Sequence, residues 1–248
     1  MLDSLLLYFG AALFAGGALT SLRRRTRRPG VIVAASGAVM MAIALALPVR
    51  EQRITTHTTK LDEWMPVWQF DERHEIDVAA PPERVYAAIH AVSADEIALF
   101  RTLTTIRRGF RKADPNILNA PKDEPLLEVA TKSGFIWLAD DAPHEMVVGT
   151  VVVAPPGTRR GKRGLTPDVF QKTLPPGFAI ATMNFLVTPD ARGGSRVTTE
   201  TRVYANDPAS QRAFAKYWRI IHPGSDIIRR MWLRAVKRRA EQRARPAA

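Results

Sequence analysis

The chain has 248 residues, 36 Lys and Arg against 24 Asp and Glu, a net charge of +12 and no cysteine. The length suits one good-sized domain with additions, and the lack of cysteine excludes disulfides, thiolate zinc sites and cysteine nucleophiles. Apolar residues are unevenly placed and concentrate before Arg50.

Two uncharged runs open the chain, SLLLYFGAALFAGGALTSL from Ser4 to Leu22 and PGVIVAASGAVMMAIALALPV from Pro29 to Val49. As helices they would reach roughly 28 and 31 Å, close to the ~30 Å of a bilayer's hydrocarbon core. Buried helices of a soluble core would show a polar stripe, and these runs have none. A secretory signal is the rival for the first run, but MLDS puts Asp3 where a basic segment belongs, and a second run follows at once. Residues 1–50 therefore read as a transmembrane helical hairpin. Ala12, Gly16 and Thr20, and Ala34, Ala38, Ala42 and Ala46, recur every four residues and offer small faces for close helix packing. Pro29 suits the first turn of the second helix.

Between the runs, TSLRRRTRRPG carries Arg23, Arg24, Arg25, Arg27 and Arg28. Basic residues in short loops stay cytoplasmic, so the turn is expected inside and both ends outside. In a bacterium the chain would then be an inner-membrane protein with its soluble part outside the cytoplasm. The basic C-terminus argues the other way, but distant folded domains weigh little in this rule.

Residues 51–70, EQRITTHTTKLDEWMPVWQF, read as a juxtamembrane linker or a first strand; Trp64, Trp68 and Phe70 suit either headgroup level or strand packing. In RHEIDVAAPPERVYAAIHAV, His74, Ile76 and Val78 alternate with Glu75 and Asp77 as in a strand, and Pro81-Pro82 ends it and starts a helix with Val85, Ile89 and Val92 on one face. A second helix is expected from Ser93 to about Phe110, capped by Ser93 or Asp95.

A strand ending in IDVAAPPERVYAAI, then paired helices, a strand-rich middle and one long C-terminal helix, resembles the SRPBCC superfamily of START-like lipid-binding, birch-pollen-allergen-like and polyketide cyclase-like domains. The likeness covers roughly residues 71 to 240 and leaves the hairpin out. It implies an α+β helix-grip fold over residues 71–248, a curved antiparallel sheet around the last helix with an apolar cavity between them.

The remaining strands are read in 134–141, 144–153, 178–190 and 194–205, with turn residues at Asp140–Pro143 and Pro189–Gly194. In the last strand Val197, Thr199, Thr201 and Val203 face one way and Arg196, Thr198, Glu200 and Arg202 the other, which predicts one face on the core and one in water. Five strands are found where the family usually has seven, and extra ones are sought in 51–70, in PLLEVATKS (125–133) and in 155–177. The final helix starts near Asp207, with Phe214, Trp218, Ile221, Ser225, Ile228, Trp232 and Ala235 as its apolar seam and a kink or break expected at Pro223-Gly224. Arg229, Arg230, Arg234, Lys237, Arg238, Arg239, Arg243 and Arg245 crowd its end, and the first six of them suit anionic headgroups.

None of the histidines, His57, His74, His90, His144 and His222, has a partner at the spacing of a metal motif, so no metal ligand and no cofactor is assigned. PPGTRRGKRG (155–164) lacks the lysine-threonine pair of a phosphate loop and reads as a basic surface loop, and HPGSD (222–226) is no nucleophile elbow. An enzyme on this fold would draw on Tyr86, His90, Asn184 and Tyr204, each with an ordinary packing role as the alternative. The candidate cavity wall is Phe135, Trp137, Met146, Val148, Met183 and Phe185, with Trp218 and Ile221 opposite, and these eight could equally fill a core. Three functions follow: a membrane-anchored binder of a hydrophobic small molecule or lipid, a cyclase-type enzyme, or a non-enzymatic interaction module at the membrane surface. Nucleic acid is not expected as a partner, because no nucleic-acid-binding motif accompanies the charge.

Overall fold

The computed structural model describes residues 2–111, 115–158 and 166–242. The basic loop at 159–164 and the terminal Arg243 and Arg245 lie outside the described residues. The chain forms two compact units: Met1–Arg50 with Arg212–Pro223, and Glu51–Gln211 with Gly224 onward.

In the first unit, α1 (Leu2–Ser21) and α2 (Arg27–Ala46) are joined through the single 3₁₀ turn Arg24–Thr26. Each helix has 20 residues, enough to cross a bilayer by length and composition. They meet along Ser4, Gly10 and Gly17 on one side and Gly30, Gly37 and Ala44 on the other, all buried. A Cβ at Gly17 would lie 2.3 Å from the Ala34 nitrogen, and one at Gly37 would lie 2.5 Å from the Phe14 nitrogen. Only glycine permits that approach. From Gly10 to Gly17 and from Gly30 through Gly37 to Ala44 the packing face thus repeats every seven residues rather than every four. A step of four advances about 40° around a helix and drifts off the contact, whereas seven nearly closes two turns. The predicted stripes are accordingly displaced: Ala12, Gly16, Thr20, Ala42 and Ala46 are exposed, and Ala34 and Ala38 are half-buried.

The second unit begins with β1 (Gln52–Arg53), α3 (Lys60–Trp64) and β2 (Val67–Trp68), where β1 and β2 pair as a short ribbon. It continues with β3 (Phe70–Val78), α4 (Pro82–Ala91), α5 (Phe100–Arg107), α6 (Leu126–Lys132), β4 (Ile136–Asp141), β5 (Glu145–Val153), α7 (Asp168–Gln171), β6 (Ala179–Pro189), β7 (Ser195–Ala205) and α8 (Pro208–Glu241). Among the described residues the main sheet is five-stranded and antiparallel in the order β3-β7-β6-β5-β4. Asp207 caps α8, accepting from the N–H groups of Ala209 and Ser210.

One sheet face packs on α4, α6 and the second half of α8, through Val85, Ile89, Leu126, Leu127, Met146, Val148, Phe185, Val197, Trp232, Leu233 and Val236. This is the expected α+β helix-grip arrangement, with five strands. The opposite face is also covered: Leu61, Met65 and Trp68 of the 51–69 segment close over Leu138, Val147, Phe170 and Ile180. The outer face of β7 is therefore not in water as predicted. Thr198 and Arg202 are buried on it. Trp68 and Phe70 are buried within this domain as well.

Arg202 makes that burial possible. Its guanidinium pairs with Asp62 at 2.8 Å and Glu200 at 2.6 Å, donates to the Met65 carbonyl at 3.1 Å and lies 4.0 Å from the centre of the Trp68 ring. Glu145 adds a second tie, accepting from the Lys60 and Leu61 N–H groups at 2.6 and 3.2 Å.

Three further expectations change. The helix expected over 93–110 is interrupted: Ser93 and Glu96 form a capping box around a 3₁₀ turn, and α5 starts only after Leu99, whose φ of 63° is left-handed and cannot continue a right-handed helix. PLLEVATKS holds helix α6 rather than a strand, since Leu126, Leu127, Val129 and Ala130 are buried at helical spacing. No break occurs at Pro223-Gly224, and α8 runs continuously through both. Proline removes one backbone bond there, while buried Phe214, Ala215, Trp232 and Leu233 hold the helix on either side.

In the first unit the early part of α8 joins the hairpin. Arg219 is 3% exposed; it pairs with Asp3 at 3.0 Å and donates to the carbonyls of Leu45 at 3.3 Å and Leu47 at 2.7 Å. One guanidinium thus binds the start of α1 and the end of α2, where terminal carbonyls lack helical donors.

Candidate functional site

Of the candidate cavity wall, Met146, Val148, Met183 and Phe185 are buried on the inner sheet face. Phe135 and Trp137 are half-buried and pack against this core, as do Ile76, Ile117, Ile228 and Met231. From α8 the ring that meets Phe185 is Trp232, edge-on at 5.1 Å between centroids. Trp218 and Ile221 lie on the part of α8 that belongs to the hairpin's unit, where Trp218 stacks on Phe214 at 5.8 Å. Trp232 is on the same apolar seam in the sequence, but a seam of constant spacing does not say which turn faces the sheet.

Two of the expected acid-base candidates come together at the edge of the domain. Tyr86 and His90, one turn apart on α4, have ring centroids 5.1 Å apart. The Tyr86 hydroxyl donates to Asp140 of β4, His90 Nε2 lies 3.7 Å from the same carboxylate, and the His90 ring stacks on Trp137 at 5.5 Å. Burial, and then the Asp140 hydrogen bond, push the Tyr86 phenol well above its usual range. Asn184 instead has a structural role: its amide donates to Glu145 at 2.6 Å, and its carbonyl oxygen accepts from the Glu200 N–H at 2.9 Å.

Two clefts open on the outer face. The first, about 270 Å³, is lined by Phe170, Leu174, Phe178, Ile180, Tyr204 and Asn206. The second, about 430 Å³, is polar and lies between Arg53, Thr55, Thr56, Arg73, Thr198 and Arg202. Asp62 is among the residues beneath it. Burial alone would raise the Asp62 carboxyl, but the Thr58 N–H, Arg202 and the Thr58 hydroxyl outweigh it and hold the pKa at about 2.

The basic end of α8 is largely engaged with its own domain. Arg230 pairs with Asp226, Lys237 donates to the Asp77 carbonyl and pairs with Glu241, Arg238 donates to the Glu96 carbonyl, and Arg239 pairs with the Glu96 side chain. Arg229 and Arg234 contact the sulfur atoms of Met183 and Met231.

One grouping was not found by sequence reasoning. Glu72 and His74 on β3 meet Asp226 of α8, placing an imidazole between two carboxylates. The signal in the sequence was Glu72-x-His74, two residues that a strand turns to one face. Its third member lies far along the chain and has no spacing rule to reveal it.

No protein-family model matches the chain, and no curated protein matches it. Solved structures do show likenesses. Protein MLL2253 from Mesorhizobium loti is 12% identical with a TM-score of 0.32, over 68% of this chain and 96% of that one. Protein TTHA0849 from Thermus thermophilus is 12% identical with a TM-score of 0.27, over 69% and 97%. Ara h 8.0201 is 8% identical with a TM-score of 0.25, over 69% and 97%. The fold rests on the sheet and helix of this chain, and these likenesses assign neither ligand nor activity.

Proposed function

We propose that the chain is a membrane-anchored helix-grip domain that binds a lipid or another hydrophobic small molecule. The observation that carries this reading is the hairpin's inverted burial: small residues fill the helix interface, while Leu2, Leu5, Phe9, Phe14, Ile32 and Val39 point outward with 46–84% of their surface exposed. That much contiguous apolar surface, on two helices of bilayer length, is suited to lipid rather than water. A domain held there has apolar cargo within reach.

Phe135, Trp137, Ile228 and Met231, half-buried against the inner core, are the side chains best placed to contact such cargo. The test is to purify the full chain in mild detergent, extract it with organic solvent and identify bound species by mass spectrometry. A defined hydrophobic compound is expected, in much lower yield from Trp137→Glu. Recovery of bulk membrane lipids alone, unchanged by that substitution, would sink the reading.

The convergence of Tyr86, His90 and Asp140 favours a cyclase-type enzyme as a second reading. On that reading, His90→Ala would retain the extracted compound but abolish its conversion on incubation. Equal conversion by both proteins would remove it.

A further inference from the structure

Glu72, His74, Ile76 and Val78 are alternate residues of β3, so their side chains share the face that looks toward α8. Ile76 and Val78 join the apolar core as expected. Glu72 and His74 are buried as well, 5% and 8% exposed. His74 Nε2 stands 3.0 Å from Glu72 Oε1 and 3.4 Å from Asp226 Oδ1. All three atoms lie within 4.8 Å of one another.

Glu72 Oε2, the other oxygen of this carboxylate, is buried and has no hydrogen-bond partner among the described residues. Thr201 sits directly opposite Glu72 in the β3–β7 register, and its buried hydroxyl likewise has no partner there. A carboxylate oxygen removed from water with no hydrogen-bond donor is expensive; the Arg229 and Arg230 charges interact with Glu72 but neither guanidinium donates to Oε2, so this spot suits an occupant that bonds to that oxygen directly. Their direct contacts go to other groups: Arg230 donates to Asp226, and Arg229 contacts the Met183 sulfur and lies 5.5 Å from the centre of the Trp232 ring.

We infer that Glu72, His74 and Asp226 form a binding site for one divalent transition-metal ion of the zinc class. Such ions hold imidazole nitrogen and carboxylate oxygen at about 2.0–2.2 Å, which sets neighbouring ligand atoms of a tetrahedral shell about 3.3–3.5 Å apart. The two separations from His74 Nε2, 3.0 and 3.4 Å, are close to that, and the Glu72 and Asp226 oxygens lie within 4.8 Å of each other. Glu72 Oε2 and the Thr201 hydroxyl are at hand for the rest of the shell, directly or through water. Arg230 orients Asp226 by donating to Oδ2 at 2.8 Å and to Oδ1 at 3.2 Å. Outer partners of this kind commonly fix the orientation of metal-bound carboxylates.

The test uses the full chain without an affinity tag, stripped with chelator and titrated separately with Zn²⁺ and Co²⁺ in calorimetry and visible spectroscopy. One equivalent is expected to bind, with the intense visible absorption of low-coordinate cobalt and a higher melting temperature. His74→Ala and Glu72→Gln should each weaken binding at least tenfold and abolish the metal-dependent rise in melting temperature, whereas His57→Ala should change neither. Should either variant fail to fold, Asp226→Asn, on the half-buried member of the group, gives the same readout. Absence of stoichiometric binding by the unaltered chain, or binding that survives both His74→Ala and Asp226→Asn, overturns the site.

Discussion

Arg202 binds two carboxylates, a backbone carbonyl and an indole ring at once, and the consequences of removing it follow from what would be left behind. Asp62, 3% exposed, would remain charged in a poorly solvated place. Breaking a buried pair from one side costs about 3–5 kcal/mol. For a chain of this size that corresponds to a fall of about 6–20 °C in melting temperature, so Arg202→Met should show such a loss in calorimetry. Acid should act on the same group. The Asp62 pKa is depressed from 3.8 to about 2, so the folded state favours the ionised form. Its stabilisation is complete well above pH 3.8 and is lost as pH falls through the window from 3.8 to about 2. After allowance for screening the loss is about 1–2 kcal/mol. Asp62→Asn should be less stable at neutral pH, and its urea midpoint should fall less than that of the parent across that window.

The hairpin turns on packing between its two helices. A side chain at Gly17 would strike the backbone of Ala34 at 2.3 Å, whereas one at Gly16 would meet nothing within 4 Å. Gly17→Leu must push α1 and α2 apart and, as an overpacked contact, should cost about 1–3 kcal/mol. Gly16→Leu adds an apolar side chain on the outward face and should be neutral. Melting of both variants in detergent checks this, and equal melting temperatures would show that the glycine contact does not hold the pair. The same element shows why the expected stripes were displaced: composition revealed that small residues were available, but their phase depended on the partner helix. The strands were more legible. Alternation in His74–Val78 and Val197–Val203, with turn residues between neighbouring runs, located β3 and β7 because a strand's period is local. Helix α6 was missed because seven residues with four buried apolar side chains fit a short strand as readily as two helical turns until their neighbours are known.

Considered whole, the chain pairs a basic turn with a basic terminal helix, and only the turn bears on orientation. Under the proposed anchoring, Arg23–Arg28 would face the cytoplasm and the helix-grip domain the opposite side. An impermeant maleimide applied to intact cells should label Lys122→Cys and spare Arg25→Cys, and the reverse pattern would invert the topology. The sequence by itself determined two apolar runs of bilayer length, the arginine turn between them, the principal strands and the long final helix, because length, charge and periodicity are properties of neighbouring residues. Only the tertiary structure decided that Arg202 is buried, that Trp232 rather than Trp218 meets Phe185, and that Asp226 closes on Glu72 and His74. Those outcomes depend on which faces the fold brings together across long stretches of chain, and local pattern carries no record of that pairing.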